Sequence, residues 1–141
     1  MIPGFFTPTM PQPQIRMAVR IPLASPTPAV VPFIIDTGAA FTCIHAIDAI
    51  RFFGMTPALL DPVTWVNAKS IGGVGGSSMY IETPATYMLL RRDGQVEVIE
   101  GVIRIGELKT NGIPALLGWD LLKLFRLDVH GGDQVISLHR L

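Results

Sequence analysis

Phe33-Ile34-Ile35-Asp36-Thr37-Gly38-Ala39 decides how this chain reads. Three apolar residues form the end of a buried strand. The carboxylate that follows stands where that strand leaves the core. Gly38 lets the chain turn tightly and lets neighbours approach closely. The Thr37 hydroxyl can fix the loop through side-chain-to-backbone hydrogen bonds. Backbone N–H groups freed by such a loop can hold the carboxylate in one orientation, and a held carboxylate can act as a general base toward water. The plain alternative is an Asx-type turn after a strand. A single carboxylate is a poor amide hydrolase. One group must take a proton from water, and another must give one to the carbonyl oxygen or leaving nitrogen. Two carboxylates sharing one proton do both, because like charges at that distance do not both ionise.

The same pattern returns near the C-terminus. Ala115-Leu116-Leu117-Gly118-Trp119-Asp120-Leu121-Leu122 again reads as apolar strand, glycine and short helix. Two copies of one unit, with hairpins between them, predict a pseudo-twofold domain. One helix is expected over 46–53, stopped by Gly54 with Pro57 beyond, and another over 119–125. The rest reads as strand. Residues 15–23 alternate in part, and 29–35 form an apolar run bounded by turn residues. Pro32 marks an edge or bulge in that run, since proline lacks the ladder donor. Residues 79–90 and 95–105 flank the turn Arg91-Arg92-Asp93-Gly94, and 127–129 and 134–138 flank His130-Gly131-Gly132-Asp133. The expected fold class is all-β, a small closed barrel with two short helices.

A chain of 141 residues has room for one domain with a real core. With 49% apolar and 16% charged residues, it is not a disordered chain. Eleven basic residues balance eleven acidic ones, which argues against a nucleic-acid partner. A mean hydropathy of +0.45 points to a large buried fraction or a covered surface. Cys43 is the only cysteine, so no intrachain disulfide and no multi-cysteine metal site can form. It reads as a small buried hydrophobe, with a redox thiol as the alternative. The N-terminal residues lack a charged region followed by an apolar run, so no signal peptide is expected. No stretch reaches the roughly 18 apolar residues of a membrane helix. No membrane segment is therefore expected in this chain, and the cytoplasm is the default compartment. A tether outside the chain stays open. Pro3, Pro8, Pro11 and Pro13 make 1–14 an extended or disordered arm, with one domain over 15–141.

Three pieces stand in one order: apolar-apolar-Asp-Thr-Gly-Ala, a Gly-rich hairpin, and Leu-Leu-Gly-x-Asp-Leu-Leu. In these, over residues 15–140, the chain resembles the retropepsin-like (retroviral-type) aspartic proteases. The resemblance implies a closed, mostly β fold acting as a symmetric homodimer, with no cofactor and no metal. Two copies of Asp36 would face each other across the twofold axis as the catalytic pair. Thr37 would interlock with the opposite loop, Gly38 would lie where substrate and water approach, and Ala39 matches the small residue usual there. Ile71, Gly72, Gly73, Val74, Gly75 and Gly76 look like a flap that covers an extended peptide. They fit neither phosphate-loop spacing, and a plain flexible loop is the alternative. Leu116, Leu117 and Gly118 match the supporting element that threads near the active-site loop. Asp120 would be structural there rather than a second acid.

Other candidates weigh less. His45, His130 and His139 lack metal-ligand spacing, and no Gly-x-Ser-x-Gly elbow occurs. Cys43 and His45 read as a pair without an orienting group. Trp65 and Tyr80 flank the flap and read as packing, or else as residues that steady the flap or line a pocket. Arg126 is a candidate partner for Asp48 or Asp128 across a dimer. Some features depart from the family. Ala40-Phe41 stand where many relatives are polar, and 54–68 is long. The proline-rich start offers no obvious terminal strand, which leaves 134–141 to supply dimer strands. The expected function is a homodimeric aspartic endopeptidase acting on a peptide or protein substrate. The alternative is a non-catalytic peptide- or protein-binding dimerisation module on the same fold, and a domain cut from a longer precursor also stays open.

Overall fold

A computed structural model describes residues 1–65, 68–73, 76–110 and 112–141; for 68–73 and 76 it describes the backbone. The chain begins with β1 (Ile2–Pro3), β2 (Phe5–Thr7), β3 (Met10–Arg20), β4 (Ala29–Ile35) and β5 (Cys43–Ile44). Helix α1 (Ala46–Phe53) and two short 3-10 turns lead into the hairpin of β6 (Ala68–Gly73) and β7 (Gly76–Leu90). β8 (Val96–Gly106), β9 (Leu116–Leu117), α2 (Trp119–Leu122), β10 (Phe125–His130) and β11 (Val135–Arg140) complete the order.

The chain is mostly β. In the larger sheet the strands run β2-β3-β4-β9-β5-β8-β7-β6. β3 also pairs with β7, with Ala18 opposite Met88 and Arg20 opposite Thr86, so six of these strands close into a ring. Side-chain alternation explains why the ring has an inside. Ile15, Met17 and Val19 of β3 are buried in it, as are Val31, Phe33 and Ile35 of β4. Tyr87, Leu89, Ile99, Ile103 and Ile105 join them from β7 and β8. Their outward neighbours Leu90, Val96 and Val98 are exposed. A fully buried side chain of this size contributes about 1.5–3 kcal/mol, so the ring interior is the main source of cohesion. α1 closes one side with Ala46, Ala49 and Phe53. It ends at Gly54, whose φ of 65° is the left-handed conformation that glycine adopts without penalty. No helix among the described residues is long and apolar enough to cross a membrane.

Several elements differ from the expectations. Residues 1–14 are extended, and they are paired within the chain rather than loose. Ile2 opposes Leu138, Phe5 opposes Gln14, and β3 runs on from Met10, so no boundary falls at residue 14. Pro11 and Pro13 fit because they lie where the β2–β3 register is irregular, between Thr7↔Met10 and Phe5↔Gln14. β11 lies between β1 and β10, so the C-terminal run is not a free dimer strand. α2 stops at Leu122 instead of 125, because Phe125 turns inward as the first residue of β10. Pro32 sits opposite Arg16, where β4 has a neighbour on one side only, since β9 pairs with Ile34 and Ile35. Arg126 meets Asp128 of its own strand at 3.1 Å.

Candidate active site

The two similar sequence segments, 33–38 and 115–122, meet directly. β4 and β9 run parallel, Ile34 opposite Leu116 and Ile35 opposite Leu117. Ile34 N–H donates to the Ala115 carbonyl at 2.8 Å, and Asp36 N–H donates to that of Leu117 at 3.0 Å. Asp36 therefore stands at the last rung of a ladder. Beyond it the chain turns on itself. Gly38 N–H donates to Asp36 Oδ1 at 2.8 Å, and Ala39 N–H donates to the Asp36 carbonyl at 3.1 Å. A bond to a charged acceptor is stronger than a neutral one, so one carboxylate oxygen is held in place. Asp36 is half-buried, while Thr37 and Gly38 are exposed. The loop presents its carboxylate at the surface of a rigid support.

That support is the start of α2. Trp119 and Asp120 N–H donate to the carbonyls of Ala39 and Ala40 at 2.9 and 3.1 Å. Asp120 Oδ1 accepts from Thr42 N–H at 2.9 Å, Thr42 Oγ1 at 2.7 Å and Leu121 N–H at 3.0 Å. Thr42 Oγ1 in turn accepts from Gly118 N–H at 3.1 Å. Thr42 is fully buried, so these bonds replace water that it cannot reach. A Cβ on Gly118 would lie 2.5–2.8 Å from the Phe41 backbone, which explains the glycine. The Trp119 indole Nε1–H reaches across to the Thr37 carbonyl at 2.6 Å. Arg104 stacks over the Phe41 ring, 3.4 Å from its centroid, so the Ala40-Phe41 departure installs an aromatic–cation contact beside the loop.

The Gly-rich segment is an antiparallel hairpin. Pairing runs from Ala68↔Ile81 to Gly73↔Gly76 and takes in Ile71, Gly72, Gly73 and Gly76. Val74 and Gly75 lie outside the described residues. The hairpin base is tied to Glu107, whose carboxylate accepts from Met79 N–H and whose N–H donates to the Met79 carbonyl. Beside it a hollow of about 210 Å³ is lined by Leu23, Met55, Leu59, Thr64, Trp65 and Ile81. Trp65 Nε1–H donates to the Leu59 carbonyl at 2.7 Å, so that side chain packs against the 3-10 turn. No hydrogen bond among the described residues joins the hairpin to residues 36–39.

One cluster escaped the sequence. His45 Nδ1 lies 2.9 Å from the Pro114 carbonyl, which can only accept, so Nδ1 carries the proton. Nε2 then accepts from the Tyr80 hydroxyl at 2.8 Å, with Cys43 Sγ at 3.8 Å. His45 thus does have orienting groups. Burial lowers its pKa below the usual 6.5, partly opposed by the Pro114 carbonyl. Burial also pushes the Cys43 thiol and the Tyr80 hydroxyl each up to about 12. An unionised thiol beside a neutral imidazole is a packed polar core, not a nucleophile. Cys43 and His45 are near neighbours in sequence, but nothing in residue spacing announces their partners Tyr80 and Pro114. Compared with protein-family models and with curated proteins, the chain finds no match.

Proposed function

We propose that this chain is an aspartic-type endopeptidase of the retropepsin-like kind, working as a homodimer. The observation that carries this is the Asp36 loop: a half-buried carboxylate at the end of a parallel ladder, one oxygen held by Gly38 N–H, beside exposed Thr37 and Gly38. One chain supplies one such acid. Three donors converging on Asp120 Oδ1 support a structural role for it rather than that of the second acid. The resemblance to the retropepsin-like proteases supplies the second acid as Asp36 of another copy. With one proton shared between them, the ionised Asp36 takes a proton from water as it attacks the amide carbon. The protonated Asp36 gives its proton to the carbonyl oxygen. Among the described residues β6 is the last strand of its sheet, with one edge unpaired, which suits an extended peptide that docks by backbone hydrogen bonds.

The test is cleavage of a peptide library by wild type, Asp36→Asn and Asp120→Asn. Wild type cleaves, and a chelator does not slow it. Asp36→Asn loses cleavage by a factor of roughly a thousand or more while keeping its thermal midpoint. Asp120→Asn keeps an acceptor oxygen and retains most activity. Rate per subunit falls on dilution through the dimer dissociation range. Equal losses from the two variants, or a rate per subunit flat on dilution, overturns the proposal. Peptide binding without turnover would leave the binding module in its place.

A further inference from the structure

Away from the Asp36 loop, strand register assembles an apolar patch on the outside of the ring. Val98, Met88, Ala18 and Val30 stand in one row across β8, β7, β3 and β4. Leu90 and Val96 oppose each other beside that row. Val30, Leu90, Val96 and Val98 are each more than half exposed. Contiguous apolar surface of roughly a few hundred Å² marks an interaction site. Val30 lies about 20 Å along β4 from Asp36, at about 3.3 Å per residue. On the other side of the row runs a charged one. Arg20, Thr86 and Glu100 stand side by side on β3, β7 and β8. Arg20 Nη2 donates to Thr86 Oγ1 at 3.3 Å, and that hydroxyl donates to Glu100 Oε2 at 2.8 Å. Arg20 and Glu100 are exposed, and among the described residues neither has an ion-pair partner. The face thus carries a base on one side of β7 and an acid on the other, about 10 Å apart across two strand spacings.

That arrangement is complementary to itself. Turning the face over about a twofold axis along β7 lays β3 on β8 of the other copy. Each Arg20 then meets the opposite Glu100, and Met88 and Leu90 meet their own counterparts on the axis. An axis across the strands would instead lay β3 on β3 and put Arg20 over the opposite Arg16, two like charges. Stacked sheets with nearly aligned strands are ordinary sandwich packing, and a self-complementary patch is what a twofold interface requires. The exposed carboxylate of Glu100 beside the patch disfavours an anionic lipid surface. We propose that the outer face of β4-β3-β7-β8 is an interface between two copies of the chain, with the axis along β7. It is separate from the Asp36 loop and depends on neither paired acids nor cleavage. The apolar and charged rows together reach only the small end of specific interfaces, so the pair dissociates in the micromolar range.

The experiment cross-links the whole chain through Leu90→Cys with a short bis-maleimide, and linked pairs are read by mass. Cys43 does not compete, because it is buried and its thiol is pushed up to about 12. Val63→Cys, exposed on a 3-10 turn outside the face, measures chance encounter. Leu90→Cys links about tenfold more than Val63→Cys at the same concentration, since pairing holds the two thiols together. In the Leu90→Cys background, Arg20→Glu and Glu100→Arg each lower the yield about tenfold, because like charges then face each other. Mixed one to one, with one chain tagged, these two variants link to each other within about threefold of the parent yield. One copy then carries both acids and the other both bases, an exchange that no coupling within a single chain reproduces. Equal linking at positions 90 and 63 overturns the inference. So does a mixture that links no better than its components. Uptake on phosphatidylserine vesicles that Leu90→Asp abolishes, with no excess linking at 90, would assign the patch to lipid and overturn it as well.

Discussion

Gly118 and His45 show how single residues constrain the site. At Gly118 any Cβ would press on the Phe41 backbone at 2.5–2.8 Å, and backbone does not yield as a flexible side chain does. Gly118→Ala is therefore expected to cost about 1–3 kcal/mol, read as a fall of several degrees in thermal midpoint. The displaced Phe41 segment would carry the Asp36 turn with it, so the proposed peptide cleavage should fall further than stability explains. His45 links stability to pH. Its folded pKa lies below its unfolded value near 6.5, because burial disfavours the charged ring. As pH falls through 6.5 the unfolded chain takes up a proton that the folded chain refuses. Stability is thus full above about 6.5 and declines below it, by at most about 1.4 kcal/mol per pH unit from this group. Thermal midpoints between pH 8 and 5 test this. His45→Gln should lower the midpoint throughout but flatten its decline with pH, and an unchanged decline would assign the effect to other groups.

At the scale of elements, the chain was legible where one periodicity ran for several residues between breakers. The limits of β4 and α1 follow from an apolar run between turn residues and from Gly54, and both stand where the sequence puts them. The Asp-Gly hairpin between β7 and β8 closes as its turn residues require, with Gly94 at a φ of 85°. The two-residue strand β5 was not separable, since two residues carry no period, whereas β9 was read from the apolar run before Gly118. Strand partners decide β5. α2 was overextended because Leu121, Leu122, Leu124 and Phe125 mimic a helical face, whereas the chain breaks to pair Phe125 with Arg140. The Asp36 turn and its 116–118 support were legible as motifs. The Asp120–Thr42 network and the Tyr80 and Pro114 partners of the Cys43–His45 pair were not, because each depends on tertiary pairing rather than on spacing. The proline-rich start misled in a related way. Prolines discourage ladders, but here Pro11 and Pro13 occupy the irregular stretch of β3 opposite β2, and regular pairing takes up at Gln14.

For the whole molecule, ring closure by β3 and β7 leaves the smaller β1-β11-β10 sheet to hold the two ends of the chain. Ile2 is 2% exposed and packs with Ile136 and Leu138 in the core. Ile2→Ala should lower stability by about 2 kcal/mol, toward the low end for buried isoleucine because a terminal strand frays. A urea midpoint measures it, and a variant as stable as wild type would mean that β1 is dispensable. The parallel pairing of β4 with β9 has a further consequence in time. Residues 34 and 116 are 82 apart in sequence, so this contact is among the costliest to form by chance encounter. Translation proceeds at about 5–20 residues per second, so the Asp36 loop leaves the ribosome roughly 4–16 s before the segment that holds it. Throughout that interval the carboxylate has no Leu117 rung, no Asp120 brace and no indole. The order of synthesis leaves the Asp36 carboxylate without its support until residues 116–120 have been made.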